Sequence, residues 1–128
     1  MTHFLTFSER ILNDWFCCLD LKGKIARQYK KIGGKCTYFG KPHTEHFQAC
    51  LKKLGLDPSR VAHVGDSLHH DVAGANSAGI ASVFITGGIH SKDLGGCELG
   101  VLPEESKLND LFQAHGQVPS HVLPLFRF

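Results

Sequence analysis

Long apolar runs are missing from this 128-residue chain. No stretch approaches the roughly 20 apolar residues that a membrane-spanning helix needs, and the first residues do not read as a secretory leader. A membrane partner is therefore not expected. Cysteines are few and unordered. The five, at 17, 18, 36, 50 and 97, are odd in number and show no C-x-x-C spacing. They read as free thiols in a reducing compartment, in a soluble protein of the cytoplasm or of an organelle. A strong excess of one charge is also absent: the formal net charge is +2, and the one basic cluster is KKIGGK at 30–35. Nothing there asks for nucleic acid. Repeats and low-complexity tracts are missing as well.

What remains is an ordinary globular balance, 42% hydrophobic and 20% charged, in a length suited to one modest domain. Residues 1–20 are apolar and aromatic but weakly periodic. From Lys22 to Ile32 a helix is expected, with Ile25, Tyr29 and Ile32 on one face and Gly33-Gly34 closing it. KCTYF at 35–39 reads as a strand. Phe47, Cys50, Leu51 and Leu54 share a face of a second helix that runs from Pro42 or His43 to Leu54, with Gly55 at its end. Strands are expected at 61–65 and 81–85, a small-residue helix at about 72–78, and another helix at about 107–115. The tail VPSHVLPLFRF reads as a packed extended segment.

Strand alternating with helix is the pattern of βαβ units on a parallel sheet. All strands of such a sheet end on one edge, where ligands bind. Gly40-Lys41, Gly65-Asp66 and Thr86-Gly87-Gly88 each follow an expected strand. An ammonium and a carboxylate should therefore emerge on the same rim. Phosphoryl chemistry wants that pair, since lysine neutralises phosphate charge and aspartates hold Mg²⁺ through hard oxygens.

Blander roles compete at each position. Lys41 could be a solvated lysine, Asp66 a helix N-cap and Asp71 a helix-start carboxylate. His63, His69 and His70 could suggest zinc, but adjacent residues of a helix do not face one point. HHD is too short to define a hydrolase motif, and His43 and His46 suit the surface or rim.

FGKPHTEHF, followed by VGDSLHHDVAGANSAGI with Asp66 25 residues after Lys41, resembles the C-terminal half of a haloacid dehalogenase (HAD) superfamily hydrolase. The wording is closest to the p-nitrophenylphosphatase and NagD-like subfamily, across about Gly23 to Gly88. The fold implied is α/β, a partial Rossmann-like (HAD-like) parallel sheet flanked by helices. Residues 1–21 would be an atypical apolar segment, and 22–128 the C-terminal half of the core domain. The resemblance implies that Lys41 is catalytic and stabilises the phosphorylated intermediate. It implies Asp66 and Asp71 as the metal residues for Mg²⁺, Asp71 acting directly or through water and backbone. Ser67 falls on a neighbouring polar position whose role varies.

The family's nucleophile motif, DxDGT at the end of a strand, is absent. WFCCLDLKG is the nearest imitation, but Lys22 stands where the second aspartate belongs, and Asp20 lies only 21 residues before Lys41. The chain is expected to be a Mg²⁺-dependent phosphomonoester phosphatase type, inactive alone. It would be a shortened form of a longer chain or one that works with another chain, and the missing cap leaves the substrate unread. The alternative is a non-catalytic fragment that binds a partner or regulates a full-length copy. Self-association through an exposed sheet edge is a further expectation.

Overall fold

The structure, a computed structural model, describes residues 5–6, 16–96 and 100–127, with side chains from residue 24 onward. The chain forms two compact units, Met1–Gly40 and Lys41–Phe128. In the first, strand β1 (Leu5–Thr6) pairs in parallel with β2 (Thr37–Tyr38), and helix α1 spans Phe16–Lys31. The helix thus starts earlier than Lys22. Asp20 falls inside it, not at a strand end. Lys30 and Lys31 occupy its last turn, where cations oppose the negative end of the helix dipole. Of the cysteines, Cys17, Cys18 and Cys97 lie outside the described side chains, while Cys36 and Cys50 are free thiols.

The second unit holds a three-stranded parallel sheet in the order β3 (Ala62–Gly65), β4 (Ala81–Ile85), β5 (His121–Leu123). Val64 lies opposite Val83, and Phe84 opposite Val122. One expectation changes here. The partner that extends the β3–β4 pair is the tail strand, while 37–38 pairs with β1 in its own two-stranded sheet. The tail's prolines, Pro119 and Pro124, flank β5 and leave its ladder positions to residues with an N–H.

Helix α2 (Thr44–Leu54) begins after Pro42, not with it; His43 is its N-cap and the Lys41-Pro42 bond is cis. A wide π turn, Leu68–Val72, leads into α3 (Ala73–Ala78), and α4 is Glu105–His115. Leu68, Val72, Phe84, Leu94, Leu111 and Phe112 form one buried cluster, with Phe84 fully enclosed. Phe47, Ala75 and Ile80 form a second, joined by Leu51 and Val61. Alternation along β4 buries Ser82 and Phe84 on one face, the period-two pattern of a strand. These clusters clamp the π turn and α3 against β4, which fixes the loop between β3 and the turn.

Candidate active site at the end of strand β3

The loop after β3 is built around Asp71. Ser67 is the N-cap of the π turn, and its hydroxyl accepts from the His70 N–H at 3.2 Å. Both the Asp71 and the Val72 amides donate to the Ser67 carbonyl, at 2.8 and 3.1 Å. The second of these is the wide bond of a π turn, a feature common at functional sites. It folds residue 71 back over the strand end. A Cβ on Gly65 would overlap the Asp71 carboxyl, so only glycine leaves that carboxyl its place.

Asp71 is almost wholly buried, and both of its oxygens are engaged. Oδ1 accepts from Lys41 Nζ at 2.7 Å and from His63 Nε2 at 2.9 Å, and Oδ2 accepts from the Ser67 N–H at 3.0 Å. Burial by itself favours the neutral acid. The hydrogen bonds from His63, Lys41 and Ser67, with the Lys41 charge, outweigh it and hold the carboxyl well below the usual carboxylate range. Because Asp71 is ionised, it can only accept, so His63 carries its proton on Nε2.

Asp66 occupies a different place. Its Oδ2 accepts from the Ile89 N–H at 3.0 Å, and a Cβ on Gly88 would overlap its carboxyl. It is not the N-cap of the following turn, because Ser67 takes that role. Its Oδ1 has no hydrogen-bond partner among the described residues. Asp66 is half-buried, and the Lys41 side chain is 45% exposed, which leaves both open to a ligand. Lys41 and Asp66 thus meet the same end of β3: Lys41 through Asp71, and Asp66 by following Gly65 directly.

The donor set bears on a metal. Among the described residues no three His, Cys, Asp or Glu side chains gather to hold one. One open carboxylate oxygen fits a Mg²⁺ ion that keeps most of its waters and takes the rest of its ligands from phosphate. His69 and His70 stack edge-to-face on each other at 5.0 Å, and His70 Nδ1 lies 3.0 Å from Ser67 Oγ.

The parts played by His63, Ile89 and His90 escaped the sequence. His63 binds Asp71; its signal was parity, since residues 63 and 65 share a strand face and Asp71 sits over Gly65. The Ile89 amide and Gly88 anchor Asp66 from the loop after β4. His90 Nε2 lies 3.5 Å from the Leu68 amide and Nδ1 3.1 Å from Asp93 Oδ2, tying that loop to the π turn. A cavity of about 260 Å³ between α2 and β3 is lined by Phe47, Leu51, Val61, Ala62, His63 and Ile80 among others. It lies toward the start of β3, and His63 is the lining residue that also bonds Asp71.

A parallel sheet flanked by helices, with a lysine and two aspartates at a strand end, defines the class of the fold: α/β of Rossmann-like type. Residues 38–99 match the family described as HAD-hydrolase-like. A probable phosphatase, IndB, from Dickeya dadantii is 37% identical over 62 residues, covering 48% of this chain and 26% of the relative. The phospholysine phosphohistidine inorganic pyrophosphate phosphatase of Xenopus laevis is 33% identical over 54 residues, covering 42% and 20%. The chain thus spans about a fifth to a quarter of the length of these curated relatives. Among solved structures, the p-nitrophenyl phosphatase of Archaeoglobus fulgidus matches with a TM-score of 0.57 at 21% identity, covering 94% of this chain and 52% of that one. A possible sugar phosphatase of the HAD superfamily from Cytophaga hutchinsonii matches at 0.52 and 20%, covering 83% and 35%. These likenesses show the HAD-like fold. No helix among the described residues is long and apolar enough to cross a membrane.

Proposed function

We propose that the chain supplies the charge-stabilising side of a Mg²⁺-dependent phosphomonoester phosphatase site and does not turn over substrate alone. The observation that carries this is the Lys41–Asp71–Ser67 clasp at the end of β3. Lys41 Nζ gives one proton to Asp71 and keeps two for an anion, as an ammonium has three donors. Asp71 fixes the Ser67 amide and draws that ammonium to the end of β3. Asp66 is the residue that would hold Mg²⁺, with Asp71 supporting the loop rather than binding the ion, since both of its oxygens are taken. When bound, the ion would neutralise phosphate charge. The chain's own part is to bind and orient an anionic ester. An attacking carboxylate is not part of the proposal, because no D-x-D pattern occurs in the 128 residues. Small phosphomonoesters are the substrate class by similarity to the phosphatases above.

A second reading, a non-catalytic chain that docks on a partner or on a full-length copy, has its own support. Among the described residues β3 carries a ladder partner on one side only. An open edge is a template for another strand. The experiment that tests the first reading is a Mg²⁺ titration followed by NMR. Amide shifts are expected at 65–72 and at Ile89 in the millimolar range, and none in Asp66→Asn. A silent loop in the unsubstituted protein would overturn the Mg²⁺ assignment.

A further inference from the structure

Two donors converge on one oxygen in this site. Lys41 Nζ and His63 Nε2 both bond Asp71 Oδ1, at 2.7 and 2.9 Å. Their freedom differs. The His63 ring sits on β3, is 26% exposed, and packs edge-to-face on Phe47 with centroids 5.0 Å apart and planes at 87°. It is held in place. Lys41 is nearly half exposed, on a long flexible stem. A buried carboxylate facing such an ammonium alone would clamp it, because charge-assisted bonds strengthen as the surroundings dry. His63 takes a share of the same oxygen. As a neutral donor it draws charge from Oδ1; as an imidazolium it would also repel the ammonium. Either form loosens the hold on Lys41.

We infer that His63 is a positioning residue that keeps Lys41 from being locked onto Asp71, so that its remaining ammonium protons stay available to a phosphate oxygen. This rests on the phosphate-handling role proposed for Lys41. It acts through Asp71, and it adds to the site a residue outside the lysine–aspartate set.

The test compares His63→Leu, which keeps apolar bulk against Phe47 but has no donor, with His63→Gln, whose amide restores one. Two readouts are made on ¹⁵N-labelled protein: exchange of the Lys41 ammonium protons with water, and binding of inorganic phosphate seen in the 65–72 amides. In His63→Leu the exchange should slow, and phosphate affinity should fall, each by about threefold or more, the effect of losing part of one shared hydrogen bond. His63→Gln should bring both back toward the parent values. Amides of Asn76, Ser82 and Ser120, bonded to one another away from Asp71, report that each variant is folded. If folded His63→Leu leaves both readouts unchanged, His63 only packs on Phe47 and the inference falls. Lys41→Met separates the two layers. If it leaves phosphate binding intact, the role proposed for Lys41 fails, while ammonium exchange in the His63 variants still decides whether His63 governs the lysine.

Discussion

Replacing Asp71 with asparagine swaps one oxygen for an amide at nearly constant shape, and the structure says what that costs. The carboxylate accepts from three donors, two on Oδ1 and one on Oδ2. Asparagine offers one accepting oxygen. Its amide must then face either the Ser67 N–H or the Lys41–His63 pair, donor against donor. A hydrogen bond to a charged group contributes about 1.5–3 kcal/mol, and a buried donor left unpaired costs about 1–3 kcal/mol. The Lys41 contribution is discounted to roughly 0.5–1 kcal/mol, because that side chain is 45% exposed and screened by water. The net loss should be about 2–3 kcal/mol at neutral pH, once relaxation of the loop is allowed for. In a chain of this size that lowers the melting temperature by roughly 6–12 °C. The pH dependence has a definite sign. The carboxyl is held below its ordinary value in the folded state. Its contribution is therefore complete above the unfolded value, near pH 4, and is lost as pH falls further toward the folded one. Urea unfolding of parent and Asp71→Asn, followed by circular dichroism, should show a constant gap from pH 7 to pH 5 that narrows below about pH 4. A gap under about 0.5 kcal/mol at pH 7, or one that does not narrow in acid, would refute the account of Asp71 as the charged centre of the clasp.

Three other outcomes are expected. Gly88→Ala should displace the Asp66 carboxyl that its Cβ would overlap, costing about 1–3 kcal/mol in unfolding free energy and removing the Mg²⁺-dependent shifts at 65–72. Unchanged shifts would mean that Asp66 does not depend on the loop after β4. Thr86→Val should raise stability by about 0.5–1.5 kcal/mol in denaturant titration, because the Thr86 hydroxyl is fully buried without a hydrogen-bond partner among the described residues. A loss of stability would show that the hydroxyl has a partner in solution. On the proposal above, in which this chain supplies neither the attacking carboxylate nor the acid–base assistance that typically contributes about 10² to 10⁴ in rate, the purified chain should not hydrolyse p-nitrophenyl phosphate above background with Mg²⁺ present. Turnover that disappears in Asp20→Asn would make Asp20 the nucleophile and overturn the proposal of an inactive chain.

The sequence by itself determined the parts governed by local patterning. Apolar spacing marked α2 from Phe47 to Leu54 and the glycine at its end, and short apolar runs marked strands at 61–65 and 81–85. Glycine followed by a charged residue marked Asp66 at the end of β3, whereas Lys41 follows β2 of a separate sheet and reaches the end of β3 through Asp71. Other features depended on what came together from a distance. VPSHVLPLFRF has too few strand formers between its prolines to announce a strand, and β4 made it one by offering a free ladder. KCTYF read correctly as extended, yet its partner, β1, lies in a stretch without clear periodicity. The largest gap concerns Asp71. The family resemblance implied a second carboxylate that supports an ion directly or through water and backbone. The π turn folds it over Gly65, where burial makes an unpaired charge costly, and Lys41, His63 and the Ser67 amide converge on it from 30, 8 and 4 residues away. Residue types name the chemistry available. Only packing decides which donors a buried carboxylate meets, because that depends on a turn closing over a strand and not on any neighbour in the chain.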